Sequence, residues 1–222
     1  FILDIDSGFL IALFFLWAML AVQVLAANSR HSRISENIFR QAAMAASLLI
    51  PAAVSFLSVI MVNQTMDLKE LVNQQYDYWN IVQQPLGFLV VLIAAVLLLK
   101  VLGLTRKGSA LSSRSIEVEG SGLPLAIHRF SKYMIVICVI VLMNIFFLGG
   151  WLDLHLIDGN LFLIVKFYIM LGIIMLVDKA MPEIDSYKYI VDINWKFLVP
   201  VSLFNFGLTL AFLIIRNIYG WI

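Results

Sequence analysis

Two lysines lie inside long apolar segments of the sequence, where a charged side chain is energetically costly. Lys100 stands near the end of the segment 86–104, and Lys166 lies within the segment 161–177. A charge at the bilayer centre costs about 2.5–3.5 kcal/mol on insertion scales, so such residues are candidates for proton or ion pathways. The ordinary alternative is that the four-carbon stem carries the ammonium group to the lipid headgroups. We expect this snorkelling for Lys100, and both interpretations stay open for Lys166.

Acidic side chains near the ends of apolar segments are the other candidates for proton transfer. Glu117 and Glu119 stand in a polar connection, where a solvated pair is the ordinary interpretation. Asp178 precedes Lys179 at the end of an apolar segment, and an exposed charge pair at a helix end is the ordinary interpretation there. Each acid is a functional candidate only if the fold buries it.

The remaining residue types exclude several classes of site. The histidines His31, His128 and His155 are not at metal-ligand spacing, and the lone Cys138 excludes a disulfide framework and a cysteine-ligated zinc or iron–sulfur site within this chain. The sequence has no P-loop, dinucleotide fingerprint or Ser/His/Asp arrangement. A net charge of +1 gives no reason to expect nucleic acid as a partner. We therefore expect neither catalysis nor a bound cofactor from this chain alone.

Long apolar blocks must position these charged residues. The chain is 62% hydrophobic and 13% charged, and this charged fraction is roughly half that of a soluble domain. Blocks of about 20 apolar residues match the hydrocarbon core of a bilayer, where helices are the spanning element that satisfies its own backbone. The sequence predicts an all-α protein, a single membrane domain over residues 1–222, with six transmembrane helices at about 8–27, 42–62, 86–104, 133–149, 161–177 and 197–215.

Basic residues alternate between the predicted connections. The first, third and fifth connections hold 11 of the 15 lysines and arginines, whereas the second holds only Lys69 and the fourth holds none. Because basic residues accumulate in short loops on the cytoplasmic side, the odd connections are expected to face inside. Both termini are then expected on the outer side, which is periplasmic or intermembrane.

Three residues within the spans concern helix packing. Pro51 lies near the middle of the second span and removes one backbone hydrogen bond, so we expect a kink there. Such a kink is tolerated when a neighbouring helix or local π-type winding satisfies the freed carbonyl. Asn144 and Asn205 are expected to hydrogen-bond between helices.

Short motifs along the chain resemble those of one family. The segment QPLGF at 84–88, which runs into an apolar span, resembles the middle of the H subunit of respiratory complex I. The members of that family are the quinone-site membrane subunit of the complex, called subunit 1 of NADH–quinone oxidoreductase in mitochondria. Further segments resemble family motifs in the same order: DIDSG (4–8), ANSR (27–30), EGSG (119–122), FFLGGW (146–151), Lys166 sixteen residues before Pro182, and WKFLVP (195–200). The resemblance implies the last six of the family's usual eight helices, and the first two have no counterpart here.

Departures from the family pattern fall on the residues that carry its chemistry. The family has an acid-rich inside loop (E-T-N-R-x-P-F-D-x-x-E-A-E-x-E), an E-Y pair, an arginine after the fifth span and an R-Y-D segment, which are thought to position quinone and start proton transfer. In the corresponding stretches this sequence has Lys100, Arg106, Lys107, Lys132, Asp178 and Lys188. Of the family's acids in this stretch, Glu119 is retained.

The resemblance implies a membrane-arm subunit of a complex I-like respiratory or energy-converting redox complex. Such a subunit links a peripheral electron-transfer module to proton or ion translocation. Its expected partners are antiporter-like and small membrane subunits, peripheral iron–sulfur subunits and the lipid bilayer, with quinone at the interface to the peripheral subunits. The equivalent subunit of energy-converting membrane-bound hydrogenases is a related branch that lacks a conventional quinone site. The expected location is the bacterial or archaeal cytoplasmic membrane or the mitochondrial inner membrane.

Two other functions stay open, a degenerate structural membrane subunit without quinone chemistry and a six-helix carrier or channel. The candidates for a proton path or quinone chamber are Lys100, Glu117, Glu119, Lys132, Lys166, Asp178 and Lys188. Lys132 together with Glu119 is the favoured core of that path, because Lys132 matches the position of a family glutamate. The alternative is that Lys132 marks the inner interface under the positive-inside rule.

Overall fold

The computed structural model describes residues 8–26, 32–104, 123–152, 158–182 and 187–219, and most of them are helical. A π-helical turn, Asn194–Leu198, joins the last two helices. The helices are α1 (Gly8–Ala26), α2 (Ser32–Asn63), α3 (Leu68–Asn73), α4 (Asn80–Gln83), α5 (Pro85–Val101), α6 (Leu123–Phe147), α7 (Gly159–Ala180), α8 (Tyr187–Ile193) and α9 (Val199–Tyr219).

Five helical segments of this described part are long and apolar enough to cross a bilayer, with Tyr187–Ile218 counted as one, and Pro85–Val101 is a shorter apolar helix. The described residues contain no strand. Each of the six predicted spans coincides with one of these helices. The prediction of an all-α membrane protein is confirmed, and the chain is an integral membrane protein.

Helix α5 lies at the centre of the bundle because its sequence is apolar on every side. A helix of that kind buries all of its faces, and from Val90 to Val101 every residue except Ile93 is buried. Rings from α1, α2, α5 and α6 pack together near one end of the bundle, with centroids 4.7–6.2 Å apart. This aromatic cluster consists of Phe9, Phe56, Phe88, Phe146 and Phe147.

Helix α7 lies at the periphery and buries a single stripe. Lys166, Met170, Ile174 and Asp178 are buried at intervals of four residues, which places them on one helix face. The opposite face is apolar and exposed, as expected for a surface that meets lipid or another subunit. Both charged residues of the stripe therefore face the interior of the bundle.

Contacts at the helix ends fix the directions of the helices. Phe9 at the start of α1 packs on Phe146 at the end of α6, whereas Lys100 near the end of α5 meets Asp178 near the end of α7. Helices α1 and α6 are thus antiparallel, and α5 and α7 run in the same direction. We call the end with Phe9 the outer end and the end with Lys100 the inner end.

The carbonyl freed by Pro51 is satisfied by another helix. Pro51 lies within α2, which continues from Ser32 to Asn63, and it offers no N–H to the carbonyl of Ser47, four residues earlier. Asn194, in the π-helical turn, donates its Nδ2 to Ser47 O at 3.0 Å and to Ser47 Oγ at 2.7 Å. Of the two alternatives, a neighbouring helix and local π-type winding of α2, the structure shows a donor from a neighbouring segment.

The two asparagines predicted to bond between helices behave differently. Asn205 of α9 donates its Nδ2 to Oε1 of Gln84 at 3.0 Å, so that prediction is confirmed. The prediction is wrong for Asn144, whose Nδ2 donates to Ile140 O of its own helix at 2.9 Å. A short polar side chain can reach the carbonyl one turn back, which competes with a bond to another helix.

We expect Asn194→Leu to lower the free energy of unfolding by about 1 kcal/mol, because Ser47 O then has no donor in an apolar interior. The loss should be smaller in a Pro51→Ala background, where residue 51 supplies the missing N–H. Thermal unfolding in detergent measures both losses. The control is Asn217→Leu, which alters an exposed asparagine of α9. Equal losses with and without Pro51 would contradict this assignment.

Candidate functional site

Lys100 and Asp178 form a buried ion pair at the inner end. Lys100 Nζ lies 3.2 Å from Asp178 Oδ1, and the two side chains are 0% and 9% exposed. The prediction that Lys100 snorkels to the headgroups is wrong. Helix α5 is central, and the ammonium group of Lys100 is enclosed by protein. The exposed helix-end pair predicted for Asp178 is wrong because Asp178 belongs to the buried stripe of α7.

The lysine of this pair has a further hydrogen-bond partner, whereas Asp178 Oδ1 has none among the described residues apart from the ion-pair contact. Taking two charges out of water costs several kcal/mol per ion, and their attraction offsets this cost when further hydrogen bonds satisfy them. Lys100 Nζ also donates to Pro182 O at 3.2 Å. The lysine thereby connects the inner ends of α5 and α7 and the chain that leaves α7.

Lys132 of α6 is buried at the same end of the bundle as this pair. Phe9 packs on Phe146 at 5.3 Å in the antiparallel α1–α6 contact. Gln23 lies fourteen residues after Phe9, and Lys132 lies fourteen residues before Phe146. Because the two helices are antiparallel, this register places Gln23 level with Lys132. Lys132 also lines a cavity with Leu102, which lies about 3 Å along the axis of α5 from Lys100.

Buried polar residues from four helices thus lie at the inner end of the bundle, and we call them the inner polar layer. Its members are Gln23, Lys100, His128, Lys132 and Asp178. Among the described residues, the side-chain nitrogens of His128 and the side-chain amide of Gln23 have no hydrogen-bond partner. Buried polar atoms of this kind are usually completed by ordered water. The inner end of the bundle thus buries two cations, one acid and two further polar side chains among apolar residues.

The other predicted inner residues are not part of this layer as the structure describes it. Glu117 and Glu119 lie outside the described residues. Lys188 is exposed in the first turn of α8. Of the seven candidates, the structure brings Lys100 and Asp178 into contact, and Lys132 is buried at the same end of the bundle.

Lys166 lies at the outer end and contacts backbone carbonyls. Its Nζ donates to Leu148 O at 2.7 Å and to Gly150 O at 3.1 Å. The rings of Phe162 and Trp79 lie 4.2 and 5.2 Å from the same nitrogen, within range of a cation–π interaction. Snorkelling to headgroups, one of the two interpretations left open, does not occur for this lysine, which is 5% exposed.

Two amide side chains donate hydrogen bonds to the carbonyls at the end of α6. The last four carbonyls of a helix have no partner within it. Gln75 donates its Nε2 to Ile145 O at 2.9 Å, and Asn80 donates its Nδ2 to Phe146 O at 2.9 Å. We call Gln75, Asn80 and Lys166 the outer hub, because together they hold the end of α6.

Sequence reasoning missed Gln75 and Asn80. Amides in a polar connection resemble solvated loop residues. The one signal in the sequence that could have indicated their role was their position just before the family segment QPLGF. Gln84 of that motif donates its Nε2 to Thr209 Oγ1 at 2.9 Å.

Two consecutive glycines end α6 in left-handed conformations. Gly149 and Gly150 have φ values of 71° and 46°, which residues with a side chain rarely adopt. Gly150 N donates to Asn144 O at 2.9 Å, which closes a seven-residue turn around the end of α6. Gly149 N donates to Gln75 Oε1 at 2.9 Å. The turn therefore presents its carbonyls to the outer hub.

Comparison with known proteins identifies the family of this bundle. A family model described as NADH dehydrogenase matches residues 1–210. The chain belongs to this family. The similarity reaches every long helix and both ends of the bundle.

Curated relatives share one name, the H subunit of NADH-quinone oxidoreductase. The protein of Brevibacillus brevis is 32% identical over 198 residues, which cover 86% of this chain and 58% of the relative. The same-named protein of a Geobacillus species is 32% identical over 189 residues, covering 83% and 56%. A second H subunit of this enzyme, from Rhizobium etli, is 30% identical over 213 residues, covering 91% and 62%. The chain thus spans about three fifths of the length of these relatives.

The family resemblance divides between the two ends of the bundle. The segments QPLGF and FFLGGW and the residue Lys166 lie at or beside the outer hub. Lys100, Lys132 and Asp178 come from stretches that depart from the family pattern, and they belong to the inner polar layer. The described segments at the outer hub therefore follow the family pattern, whereas the three buried charges at the inner end stand at positions that depart from it.

We expect Lys100→Met to lower the free energy of unfolding by about 3–5 kcal/mol, because Asp178 is then buried without its cation. The double variant Lys100→Met/Asp178→Leu should recover most of this loss, since it removes both charges. The free energy of unfolding in detergent is measured for the unmodified chain, the two single variants and the double variant, which together form a double-mutant cycle.

The control for this cycle is Lys196→Met, which breaks an exposed pair with Asp192 (3.0 Å). It should cost less than about 1 kcal/mol. A double variant as unstable as Lys100→Met alone would contradict the pairing.

Proposed function

We propose that this chain is a membrane-arm subunit of a complex I-like redox assembly. In this role it joins a peripheral electron-transfer module to membrane subunits that translocate protons or ions. Family membership and relatives matched over 83–91% of the chain support the proposal. The observation that carries it is the inner polar layer, since charges deep in an otherwise apolar bundle are costly and are kept where they act.

The proposed proton path runs through the inner polar layer. Its core is Lys132 with Glu119, and the pair Lys100–Asp178 continues it from α5 to α7. A lysine can release and accept a proton, so a path that contains lysines can operate without the family's acids. Water at the unpaired nitrogens of His128 would connect the side chains.

Lys166 is assigned a structural role in this proposal. It lies twelve residues before Asp178 on α7, about 18 Å along the helix axis. Both of its acceptors are backbone carbonyls, which do not carry protons at ordinary pH. Lys166 therefore holds the end of α6 and is not a step of the path.

The proposed partners bind at two surfaces of the chain, the inner end and the lateral surface. The inner end, with the basic connections, faces peripheral iron–sulfur subunits, and quinone binds at that interface. Antiporter-like and small membrane subunits cover part of the lateral surface. Both chain termini then lie on the outer side.

A structural subunit without quinone chemistry is the second candidate. One observation favours it, because Lys100 has both a carboxylate and a carbonyl as partners and could be a fixed lock between helices. The two candidates differ in whether Lys132 exchanges protons or only carries charge.

The experiment uses the tagged chain, isolated from its own membranes in mild detergent with its partners. The proposal expects subunits with iron–sulfur clusters in the isolate, whereas a carrier or channel would purify without them. Lys132→Arg keeps the positive charge but does not release a proton at ordinary pH. We expect it to lower proton pumping by on the order of a hundredfold, with electron transfer measured separately.

Lys196→Met is the control, because it alters an exposed lysine outside the inner polar layer. Pumping and electron transfer at unmodified levels in both Lys132→Arg and Lys132→Met would contradict the path and favour the structural subunit. Isolation without redox partners would contradict the assembly itself.

A further inference from the structure

A cavity of about 330 Å³ opens where α5 ends and α6 begins. This volume lies at the lower end of the range for ligand pockets, roughly 300–1,000 Å³. Its lining is Leu102, Gly103, Leu104, Arg129, Lys132 and Tyr133. The cavity is therefore large enough for a small polar group, and it lies at the inner end of the bundle.

The polar groups of this lining suit a phosphate. Arg129 carries a guanidinium with donors in a fork that matches phosphate oxygens, and Lys132 adds an ammonium group. Tyr133 offers a phenolic O–H as a third donor. Among the described residues that line the cavity none is acidic. Charge complementarity thus points to an anion.

An apolar stripe leads from the cavity along α6. Phe130, Tyr133 and Ile137 are exposed large side chains at positions i, i+3 and i+7, which share one helix face. Tyr133 belongs both to the stripe and to the cavity lining. A ligand with a phosphate at one end and a hydrocarbon chain at the other would match both features.

We propose that this cavity binds the headgroup phosphate of an anionic phospholipid, whose acyl chains lie along Phe130, Tyr133 and Ile137. Basic pockets between membrane helices on the cytoplasmic side are a known setting for such headgroups. The bound lipid holds the start of α6 against the end of α5, next to Lys132. The site shares Lys132 with the proton path proposed above, whereas Arg129 and Tyr133 lie outside that path.

The test is a lipid titration of the purified full chain in detergent, read by native mass spectrometry. Phosphatidylglycerol and phosphatidylcholine with identical acyl chains are compared. We expect phosphatidylglycerol to bind preferentially, and Arg129→Gln to weaken its binding about fivefold, the usual contribution of one basic residue near a membrane surface. Arg129 is exposed on α6, so its replacement leaves the packed interior intact.

Arg216→Gln is the matched control, because Arg216 lies in the last turn of α9, away from the cavity. It should leave phosphatidylglycerol binding unchanged. Equal binding of the two lipids, or an unchanged affinity in Arg129→Gln, would overturn the proposal. Binding of inorganic phosphate together with no detectable binding of phosphatidylglycerol would overturn it as well, because the cavity would then be a site for free phosphate.

Discussion

A polar group inside a membrane protein must find its partner within the protein, because the surrounding lipid offers none. This constraint organises both ends of the bundle. At the outer end the carbonyls that close α6 accept hydrogen bonds from Gln75, Asn80 and Lys166. At the inner end Lys100 is paired with Asp178. The long helices are held in position by these few bonds as well as by apolar packing.

The same constraint gives a physical reason for one departure from the family pattern. Lys100 stands in the stretch that corresponds to the family's acid-rich loop motif, which contains an arginine. A second family arginine follows the fifth span, where this chain has Asp178. In the structure these two positions meet at 3.2 Å, a distance at which two cations would repel. The acid at 178 therefore supplies the partner that a buried cation at position 100 requires, and it connects α5 to α7.

Much of the fold followed from the sequence, because apolar block length and basic residues report on depth in the membrane. The spans and the all-α class were predictable on that basis, whereas Asn194 as the donor to the carbonyl freed by Pro51 was not. Depth does not tell which neighbour a side chain faces, and Lys100 was misinterpreted for this reason. Asn144 was misinterpreted because its own helix supplies an acceptor. The outer hub was missed because Gln75 and Asn80 act through tertiary contacts with α6, far away in sequence.

Amine footprinting of the intact protein in lipid vesicles tests the central claim most directly. A small membrane-permeant acylating reagent should modify Lys196, whose side chain is 68% exposed. Lys100 and Lys166 should stay unmodified under the same conditions, because protein oxygens hold their ammonium groups in the interior. Modification of Lys100 at the rate of Lys196 would show that its ammonium group reaches the membrane surface, and it would contradict the account.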